Sequence, residues 1–444
     1  MRLRVCLLCG VLFLTARVSA GNSAPTVAES LPVARVWSGH RVGFCLLTQG
    51  DVQYVAYYDR DRRMTIGRRA TSATHWQQAK LDSVLGWDSH NYVTMAVDER
   101  GHLHVTGNMH CHPLVYFRSE RAGDVASLRR VPAMVGRRET RCTYPRFIRG
   151  PKDELIFTYR DGGSGRGARL YNVYDVETAT WRRLLEEPLL DGKGLMNAYP
   201  VGPTKGPDGY FHMCWVWRDT PDCSTNHDLC YARSKDLVHW ENVAGEPLDL
   251  PMTVETRAAL VDPVPVKGGM INGNTRVGFD SRRRLVVSYH KFDGDGHTQI
   301  YNARFEDGRW RIYQASDWDY RWFFQGGGSI HFEIRVSPVR PLSGGVLSQG
   351  YRNEKCGSGT WRLDEKTLKP VGRVEQAPAW PAELAKPQSD LPGMQVRWQS
   401  DAGAGSEPGV RYALRWETLG ANRDRPREAV PEPSLLVLYK LRYD

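Results

Sequence analysis

The sequence predicts an all-β protein, and specifically a seven-bladed β-propeller built from four-stranded antiparallel blades. Short apolar runs alternate with turn residues such as Gly, Asp, Asn and Pro, and stretches with amphipathic helical periodicity are few. Tryptophans recur at intervals of roughly 50–70 residues, which is the period of a propeller blade. Two β-sandwiches are the alternative, although no domain boundary is evident. The tryptophan landmarks are Trp76, Trp181, Trp240, Trp310 and Trp361.

The repeat units can be counted along the chain. Seven units of about 60 residues fill residues 36–444, which we expect to form one catalytic domain. A strand at Leu435–Leu441 is expected to close the ring by pairing with an N-terminal strand, and residues 21–35 are expected to be a loose leader. The units begin near His40, His90, Tyr144, Tyr199, Asn272, Gly326 and Met394.

The first 20 residues have the features of a secretory signal peptide. A basic start is followed by a short apolar run from Val5 to Thr15 and by the small residues Val18-Ser19-Ala20. An apolar run of about a dozen residues is too short to cross a bilayer. We therefore expect a secreted or periplasmic protein without a membrane span.

The net charge indicates what kind of partner the protein binds, and the cysteine content indicates whether disulfides hold the fold together. The formal net charge is +10, which suits an acidic polysaccharide, while no Lys/Arg run with interleaved aromatics indicates nucleic acid. Seven cysteines follow the signal segment, and an odd, widely spaced set is not a disulfide framework. Cys111 with Cys142 and Cys223 with Cys230 are the pairs that could form bridges. We expect a monomer.

Polar residues recur where one strand begins and its hairpin partner ends. Because these two points lie at the same edge of a sheet, four successive hairpins should place such residues on one face, around the mouth of a central channel. His, Arg, Tyr and Asn predominate there. The set is His90, Asn91, His110, His112, Tyr144, Arg146, Arg160, Arg218, His227, Asn272, Asn274 and His290.

The composition of this set favours elimination over ordinary glycoside hydrolysis. Retaining and inverting glycosidases need two carboxylates beside the scissile bond, and no such pair is evident. Neutralising a uronate carboxylate acidifies the C-5 proton, so that a base can remove it while an acid protonates O-4. Arg160, Arg218 and a His could neutralise the carboxylate, and Tyr144 or a His could transfer protons. We also expect Arg160 to lower the pKa of Tyr144.

Several motifs together resemble a known family. They include Asp88-Ser89-His90-Asn91, Gly107-Asn108-Met109-His110, Thr143-Tyr144-Pro145-Arg146, Tyr159-Arg160-Asp161-Gly162, Trp215-Val216-Trp217-Arg218-Asp219-Thr220, Asn226-His227-Asp228-Leu229-Cys230-Tyr231-Ala232 and Met270-Ile271-Asn272-Gly273-Asn274. As an ordered set over residues 36–320 they resemble secreted seven-bladed propellers with bacterial neuraminidase-type repeats. That family includes ulvan lyases, rhamnose–glucuronate lyases and rhamnosidases.

The resemblance implies roles for particular residues. Tyr144 would transfer protons, and His90, His110 and Arg160 would hold and neutralise a uronate. The implied substrate is a plant or algal polysaccharide with L-rhamnose α-1,4-linked to D-glucuronate. The side chains expected to bind substrate are Asn91, Arg218, His227, Asn274, His290 and Trp217.

Alternatives remain open at this stage. His40 could serve a rhamnosidase that hydrolyses the same linkage, or the chain could be a sialidase-like or non-catalytic glycan-binding propeller. No cofactor is required by the sequence, although a structural Ca²⁺ or Zn²⁺ ion is conceivable. Cys223, His227 and Cys230 have spacings of four and three, but their context does not resemble a zinc finger.

Overall fold

The fold is seen in a computed structural model that describes residues 24–403 and 407–443. The signal peptide expected at residues 1–20 lies outside these residues. In the described ranges no helix is long and apolar enough to cross a membrane.

Strands and short turns account for nearly all regular structure in the described ranges. Four 3₁₀ turns occur, at Val125–Ser127, Cys223–Thr225, Arg257–Ala259 and Ala382–Leu384. In chain order the strands are β1 (Thr26–Val36), β2 (Cys45–Gln49), β3 (Val52–Tyr58), β4 (Arg63–Ala70), β5 (Gln77–Val84), β6 (Val93–Val97), β7 (Leu103–Gly107), β8 (His110–His112), β9 (Tyr116–Ser119), β10 (Leu128–Arg130), β11 (Cys142–Arg149), β12 (Leu155–Gly163), β13 (Arg166–Asp175), β14 (Thr180–Arg183), β15 (Leu190–Asp191), β16 (Asn197–Lys205), β17 (Phe211–Arg218), β18 (Asn226–Ser234), β19 (Trp240–Glu241), β20 (Pro247–Leu248), β21 (Leu260–Asp262), β22 (Arg276–Phe279), β23 (Leu285–Phe292), β24 (Thr298–Glu306), β25 (Arg309–Gln314), β26 (Ile334–Val336), β27 (Arg340–Pro341), β28 (Val346–Asn353), β29 (Gly357–Asp364), β30 (Pro370–Arg373), β31 (Met394–Ser400), β32 (Val410–Leu419) and β33 (Ser434–Arg442).

These strands form seven sheets within the described residues, and every paired strand within a sheet is antiparallel. The prediction of an all-β protein with antiparallel sheets is confirmed; four of the seven sheets have four strands, and the other three add one or two short strands. Six sheets follow one another along the chain, and the seventh joins the first strand to the last three. We number the sheets 1 (β2–β5), 2 (β6, β7, β9, β10), 3 (β8, β11–β15), 4 (β16–β21), 5 (β22–β25), 6 (β26–β30) and 7 (β1, β31–β33).

The N-terminal segment departs from the expectation of a loose leader at 21–35. Residues from Thr26 onward form β1, which pairs with β33 from Thr26 opposite Arg442 to Val36 opposite Ser434. In this strand Leu31, Val33 and Val36 are buried while Pro32 and Arg35 between them are exposed, so one face packs on the core. The two ends of the described chain therefore share one sheet.

Hydrophobic side chains fill the space between adjacent sheets. The middle strands are covered on both faces: every residue of β17 is buried, including Trp215 and Trp217. Polar bonds supplement the apolar contacts, for example from Trp181 Nε1 to the hydroxyl of Tyr116 at 3.1 Å and from Asn302 Nδ2 to Gln349 Oε1 at 3.0 Å. These contacts hold the hairpin edges of successive sheets in fixed relative positions.

Candidate active site

The hairpin edges of sheets 3 and 4 carry an equivalent arrangement. In sheet 3, Thr143 near the start of β11 lies opposite Arg160 of β12. In sheet 4, Asn197 at the start of β16 lies opposite Arg218, the last residue of β17. The expectation that strand starts and partner ends meet at one edge is confirmed for these two hairpins.

Tyr144 sits at an irregularity in β11. The register shifts between Thr143 and Arg146, and Tyr144 has a φ of +56°, in the left-handed region that a tyrosine seldom adopts. A bulge of this kind re-aims a side chain out of the regular pleat, and such conformations are common at functional sites. It directs the Tyr144 ring towards the neighbouring histidines.

Two arginines flank a second tyrosine, Tyr199. Nη1 of Arg160 and Nη1 of Arg218 each lie 3.4 Å from the Tyr199 hydroxyl, and Ser164 Oγ lies 2.6 Å from it. The guanidinium of Arg160 also lies over the Tyr144 ring, 4.9 Å from its centroid. The site list drawn from the sequence omitted Tyr199, although its Tyr-Pro dipeptide repeats the Tyr-Pro at Tyr144 one sheet later.

The two arginines carry uncompensated positive charge. In the described part of the chain neither forms an ion pair with a carboxylate. Arg160 also donates to the carbonyl of Gly162 at 3.2 Å and to Sγ of Cys111 at 3.6 Å, and Arg218 donates to the carbonyls of Thr220, at 3.1 Å, and Pro221. Arg160 is 2% exposed and Arg218 is 7% exposed. Charges in such a low-dielectric setting act strongly on nearby groups. The two arginines therefore create a positive potential behind the two tyrosines. They do not present a free guanidinium to solvent.

Asp88 joins His90 and His110. Its Oδ1 accepts from Nδ1 of His90 at 2.7 Å, its Oδ2 accepts from Nδ1 of His110, and the two imidazole centroids are 4.4 Å apart. Burial alone would raise the pKa of Asp88, but the hydrogen bonds from His110 and His90 lower it. Asp88 is therefore a carboxylate that orients both rings through Nδ1, and the Tyr144 ring lies beside them, with its centroid 5.8 Å from that of His90 and 6.2 Å from that of His110.

A second carboxylate, Asp424, reaches His90 from the loop between β32 and β33. Its Oδ2 is 3.5 Å from Nδ1 of His90, and its Oδ1 accepts from the Ser89 amide at 3.1 Å and from Ser329 Oγ at 2.5 Å. Burial raises its pKa, but His90 and Ser329 lower it to about 2. Nothing in the sequence indicated Asp424, because it lies more than 300 positions from His90 in a loop without a motif.

The paired carboxylates make His90 a cation near neutral pH. Burial lowers the pKa of His90, but the bonds to Asp424 and Asp88 outweigh this effect and raise the pKa to about 9. The His90 side chain is 25% exposed, as are those of His110 and Asp88 at 23% each. The accessible positive charge at the site is therefore the imidazolium of His90.

Arg160 acts on the pKa of Tyr144 in the expected direction, downward, but the net pKa is raised. Burial and the neighbouring Tyr199 raise the pKa of Tyr144, and the opposing charges of Arg160 and Arg218 are too weak to reverse this. Arg160 stacks on the ring face and does not hydrogen-bond to the hydroxyl. Tyr144 is consequently a neutral phenol that can donate a proton.

Three other candidates, His40, Asn91 and Asn274, are buried in the described structure. His40 is 2% exposed; its Nδ1 accepts from Trp37 Nε1 at 2.9 Å, and burial lowers its pKa to about 4. Asn91 is 5% exposed, and Asn274 bonds through Nδ2 to the carbonyl of Ile334 in sheet 6 at 3.1 Å. Side chains in these settings hold loops and sheets together rather than line an open site.

Two more candidates, His290 and Trp217, are also buried. A further candidate, His227, lies in ion pairs with neighbouring aspartates. His290 is 1% exposed and lies against Trp322, and burial lowers its pKa to about 4. Trp217 is 1% exposed inside the core, so it offers no platform for a sugar. Burial lowers the pKa of His227, but Asp228 and Asp219 outweigh it and raise the pKa.

The cysteines and candidate metal ligands differ from some expectations. All seven described cysteines are free thiols, so neither Cys111 with Cys142 nor Cys223 with Cys230 forms a bridge. Cys223, His227 and Cys230 do not cluster as ligands. Across residues 24–403 and 407–443 the one group whose ligand atoms lie within 4.8 Å of one another is Asp88, His90 and His110. These three could hold a metal ion.

Comparison with known proteins identifies the family. A sequence model for BNR repeat-containing family members matches residues 52–318. The chain belongs to this family. The short isoform of an ulvan lyase from Alteromonas sp. (strain LOR) is 29% identical over 135 residues, which is 27% of this chain and 25% of that lyase. The family member described here thus matches about a quarter of the length of that relative.

Solved structures extend the likeness over most of the chain. The crystal structure of the polysaccharide lyase Uly1 matches with a TM-score of 0.62 and 14% identity, covering 94% of this chain and 100% of that one. A PL25 ulvan lyase bound to -[GlcA(1-4)Rha3S]- matches with a TM-score of 0.58 and 14% identity, covering 88% and 97%. At this identity the likeness concerns the fold, and the family resemblance predicted from the sequence is confirmed.

Proposed function

We propose that this chain is a polysaccharide lyase that breaks a glycan at O-4 of a uronate by β-elimination. The observation that carries the proposal is the Asp88-bridged pair His90–His110 beside a neutral Tyr144, backed by two arginines without carboxylate partners in the described chain. This arrangement supplies a base, an acid and positive charge at the adjoining edges of sheets 2, 3 and 4. Those are the three requirements of elimination next to a carboxylate.

His110 is the base in this proposal. Because Nδ1 donates to the Asp88 carboxylate, the lone pair of the neutral ring is on Nε2. Nε2 removes the C-5 proton while the substrate carboxylate, held by the His90 imidazolium and the potential of Arg160, takes up the developing charge. Asp88 fixes the orientation of the ring, as the carboxylate does in other His–Asp pairs.

Tyr144 is the acid. The C4–O4 bond breaks as the electrons of the C5–H bond form a C4=C5 double bond, and the Tyr144 hydroxyl donates its proton to O-4. His110 then returns its proton to solvent and the Tyr144 phenolate regains one, which restores the starting state. The raised pKa of Tyr144 suits this order of events, since the free phenol is protonated before the reaction begins.

The proposed substrate is an acidic plant or algal polysaccharide with L-rhamnose α-1,4-linked to D-glucuronate. Support comes from the ulvan lyase relative and from the solved lyase bound to a glucuronate–rhamnose sulfate repeat. A basic protein also suits a polyanionic chain. We further propose that the seven sheets form a closed seven-bladed propeller, and that the protein acts as a secreted or periplasmic monomer without a required cofactor.

Hydrolysis through His40 is the weaker candidate. His40 is 2% exposed, and its Nδ1 accepts a bond from the Trp37 indole, so the ring has little access to a substrate. A sialidase-like or purely binding role would leave the strained backbone of Tyr144 and the His90–His110 pair without a purpose.

The decisive experiment is Tyr144→Phe assayed on a rhamnose-capped glucuronide. Ultraviolet absorbance follows the conjugated C4=C5 product, while a separate assay measures free rhamnose. We expect elimination to fall by about 10²–10⁴-fold, the usual contribution of a general acid. The free energy of unfolding should change by less than about 0.5 kcal/mol, since the lost hydroxyl has no hydrogen-bond partner among the described residues.

Tyr210→Phe is the matched control. It removes another tyrosine hydroxyl from sheet 4, where the ring packs under Arg233 at 4.3 Å, and it should leave elimination intact. Rhamnose release without any unsaturated product would refute the lyase proposal. An unchanged elimination rate in Tyr144→Phe would refute the role of Tyr144.

A further inference from the structure

A second cationic feature lies beside the candidate active site. A cavity of about 760 Å³ opens between sheets 6, 7 and 1. Five arginines line it together with two glutamates, and we call it the arginine cavity. Its arginines are Arg41, Arg335, Arg352, Arg397 and Arg423.

Most of this charge is not neutralised by protein carboxylates. Glu354 pairs with His331 at 2.8 Å and with Arg352 at 3.4 Å, and Glu333 accepts from the Tyr320 hydroxyl. In the described ranges Arg41, Arg335 and Arg397 have no ion pair. Arg335 packs over the ring of Phe332, 4.7 Å from its centroid, and all three arginines line the cavity, so their positive charge is left to the cavity.

The arginines repel one another, which indicates how closely they converge. Burial and, to a smaller extent, the charges of Arg352 and Arg41 together lower the pKa of Arg335 to about 10. Burial and Arg41 likewise lower the pKa of Arg397 to about 10. Guanidiniums resist deprotonation strongly, so a group of this kind favours binding an anion over losing protons.

An aromatic side chain stands at the rim. Phe323 is 66% exposed, the most accessible of the described phenylalanines, and it lines the cavity next to Trp322 and Phe324. An exposed aromatic ring offers a flat apolar face on which the apolar face of a sugar can pack. A ring beside converging guanidiniums suits a charged carbohydrate better than a free inorganic ion.

The arginine cavity is continuous with the active-site wall. Ser329, which lines the cavity, bonds to Asp424 and Ser89, and Asp424 is the partner of His90. Arg423 of the cavity precedes Asp424 in the chain, and its Nη1 is fixed by the carbonyls of Gln325 and Gly327 at 2.9 and 3.0 Å. A glycan bound at His90 therefore has a direct path to the arginines.

We propose that the arginine cavity is a second anion site that binds a carboxylate or sulfate on a sugar next to the cleaved uronate, with Phe323 packing on that sugar ring. The inference rests on the proposed lyase function and adds to it a preference for chains with repeated acidic groups. Guanidiniums bind both oxyanions through paired hydrogen bonds. The site would lower KM for long acidic substrates and leave the chemical step unchanged.

The test uses the double variant Arg335→Gln/Arg397→Gln. With an acidic polymer we expect kcat/KM to fall by roughly tenfold for each guanidinium removed, through KM. With a disaccharide that fills only the active site, kcat/KM should stay unchanged. Arg309→Gln, an exposed arginine of β25 outside the cavity, is the control for loss of surface charge. Equal losses in the control and the double variant would overturn the proposal.

Direct binding separates this proposal from the lyase proposal. In the Tyr144→Phe background, calorimetry measures binding of an oligoglucuronate and, separately, of a sulfated oligosaccharide that has no carboxylates. Weaker binding of either probe in the double variant supports the site and identifies its anion, even if no elimination is ever detected. Unchanged binding of both probes overturns the site, even if elimination is confirmed.

Two milder substitutions show whether a loss of binding comes from the changed side chain or from misfolding. Arg397→Lys keeps the charge but loses the planar fork, so it should retain part of the affinity that Arg397→Gln loses. Phe323→Ala removes only the exposed ring and should weaken oligosaccharide binding while sparing the affinity for inorganic sulfate. A Phe323→Ala variant that binds the oligosaccharides as tightly as the parent would contradict the role of the ring.

Discussion

Burial of His290 should make the stability of this protein depend on pH. Burial lowers the pKa of His290 to about 4 in the folded state, whereas the ordinary value of 6.5 applies when the chain is unfolded. The unfolded state therefore binds the proton more readily. The stability that the neutral His290 ring contributes to the folded state is fully present above about pH 6.5 and is lost as the pH falls towards about 4.

The size of the effect follows from the two pKa values. One pKa unit corresponds to about 1.4 kcal/mol, so protonation should cost the folded state about 2 kcal/mol at about pH 5 and about 3 kcal/mol below pH 4. His40, with its pKa also lowered to about 4, adds a loss in the same direction. His90 acts in the opposite sense, because its raised pKa of about 9 stabilises the folded state at low pH.

A variant isolates His290 from these other groups. His290→Leu removes the titrating ring, so the difference in the free energy of unfolding between about pH 7.5 and about pH 5 should shrink by about 2 kcal/mol. Urea unfolding followed by tryptophan fluorescence measures it at each pH. Phe324→Leu alters the same packing without removing a titrating group and should keep the parent's difference. If the His290→Leu variant also keeps the parent's difference in unfolding free energy, the buried ring of His290 is not the cause of the pH dependence.

Two further substitutions test how the active site is positioned. An added Cβ at Gly167 would lie 2.6 Å from Oδ1 of Asn197 and 3.0 Å from Cδ of Arg160, so Gly167→Ala should displace both side chains and lower kcat/KM by about tenfold or more. Gly294→Ala, with no heavy atom within 4 Å of the added Cβ, should leave kcat/KM unchanged. Steady-state kinetics distinguish the two, and equal activities would contradict the role of Arg160. Asp424→Asn should lower the pKa of His90, so the alkaline limb of kcat/KM should move to lower pH; an unmoved limb in the pH–rate profile would show that Asp424 does not set it.

The fold was largely predictable because its signals are local. Turn residues and tryptophans mark each hairpin, and alternating burial marks each strand, so the all-β class could be read directly. Pairing of Leu435–Leu441 with an N-terminal strand was expected, but residues 26–36 were not recognised as that strand. Register irregularities between Val27 and Glu29 and between Pro32 and Ala34 interrupt its alternating pattern.

The active site was predictable to the extent that it follows the hairpin edges. Tyr144 and Arg160 share one hairpin, so strand pairing alone brings them together. Asp424 reaches His90 through a loop, and no periodicity predicts where a loop ends. His290 was misplaced for a different reason: a polar residue near a strand end can be buried against aromatic neighbours, and sequence does not distinguish this from exposure at an edge.

The pairing of β1 with β33 also sets the order in which the protein can be completed. The last strand supplies the partner for the first, and the loop preceding it carries Asp424 to His90. A nascent chain that stops just before Ser434 contains every residue proposed to transfer protons, but it lacks β33 and so the partner of the first strand. Activity should consequently appear only after β33 has been made and has docked, which would make catalysis a readout of the completion of sheet 7.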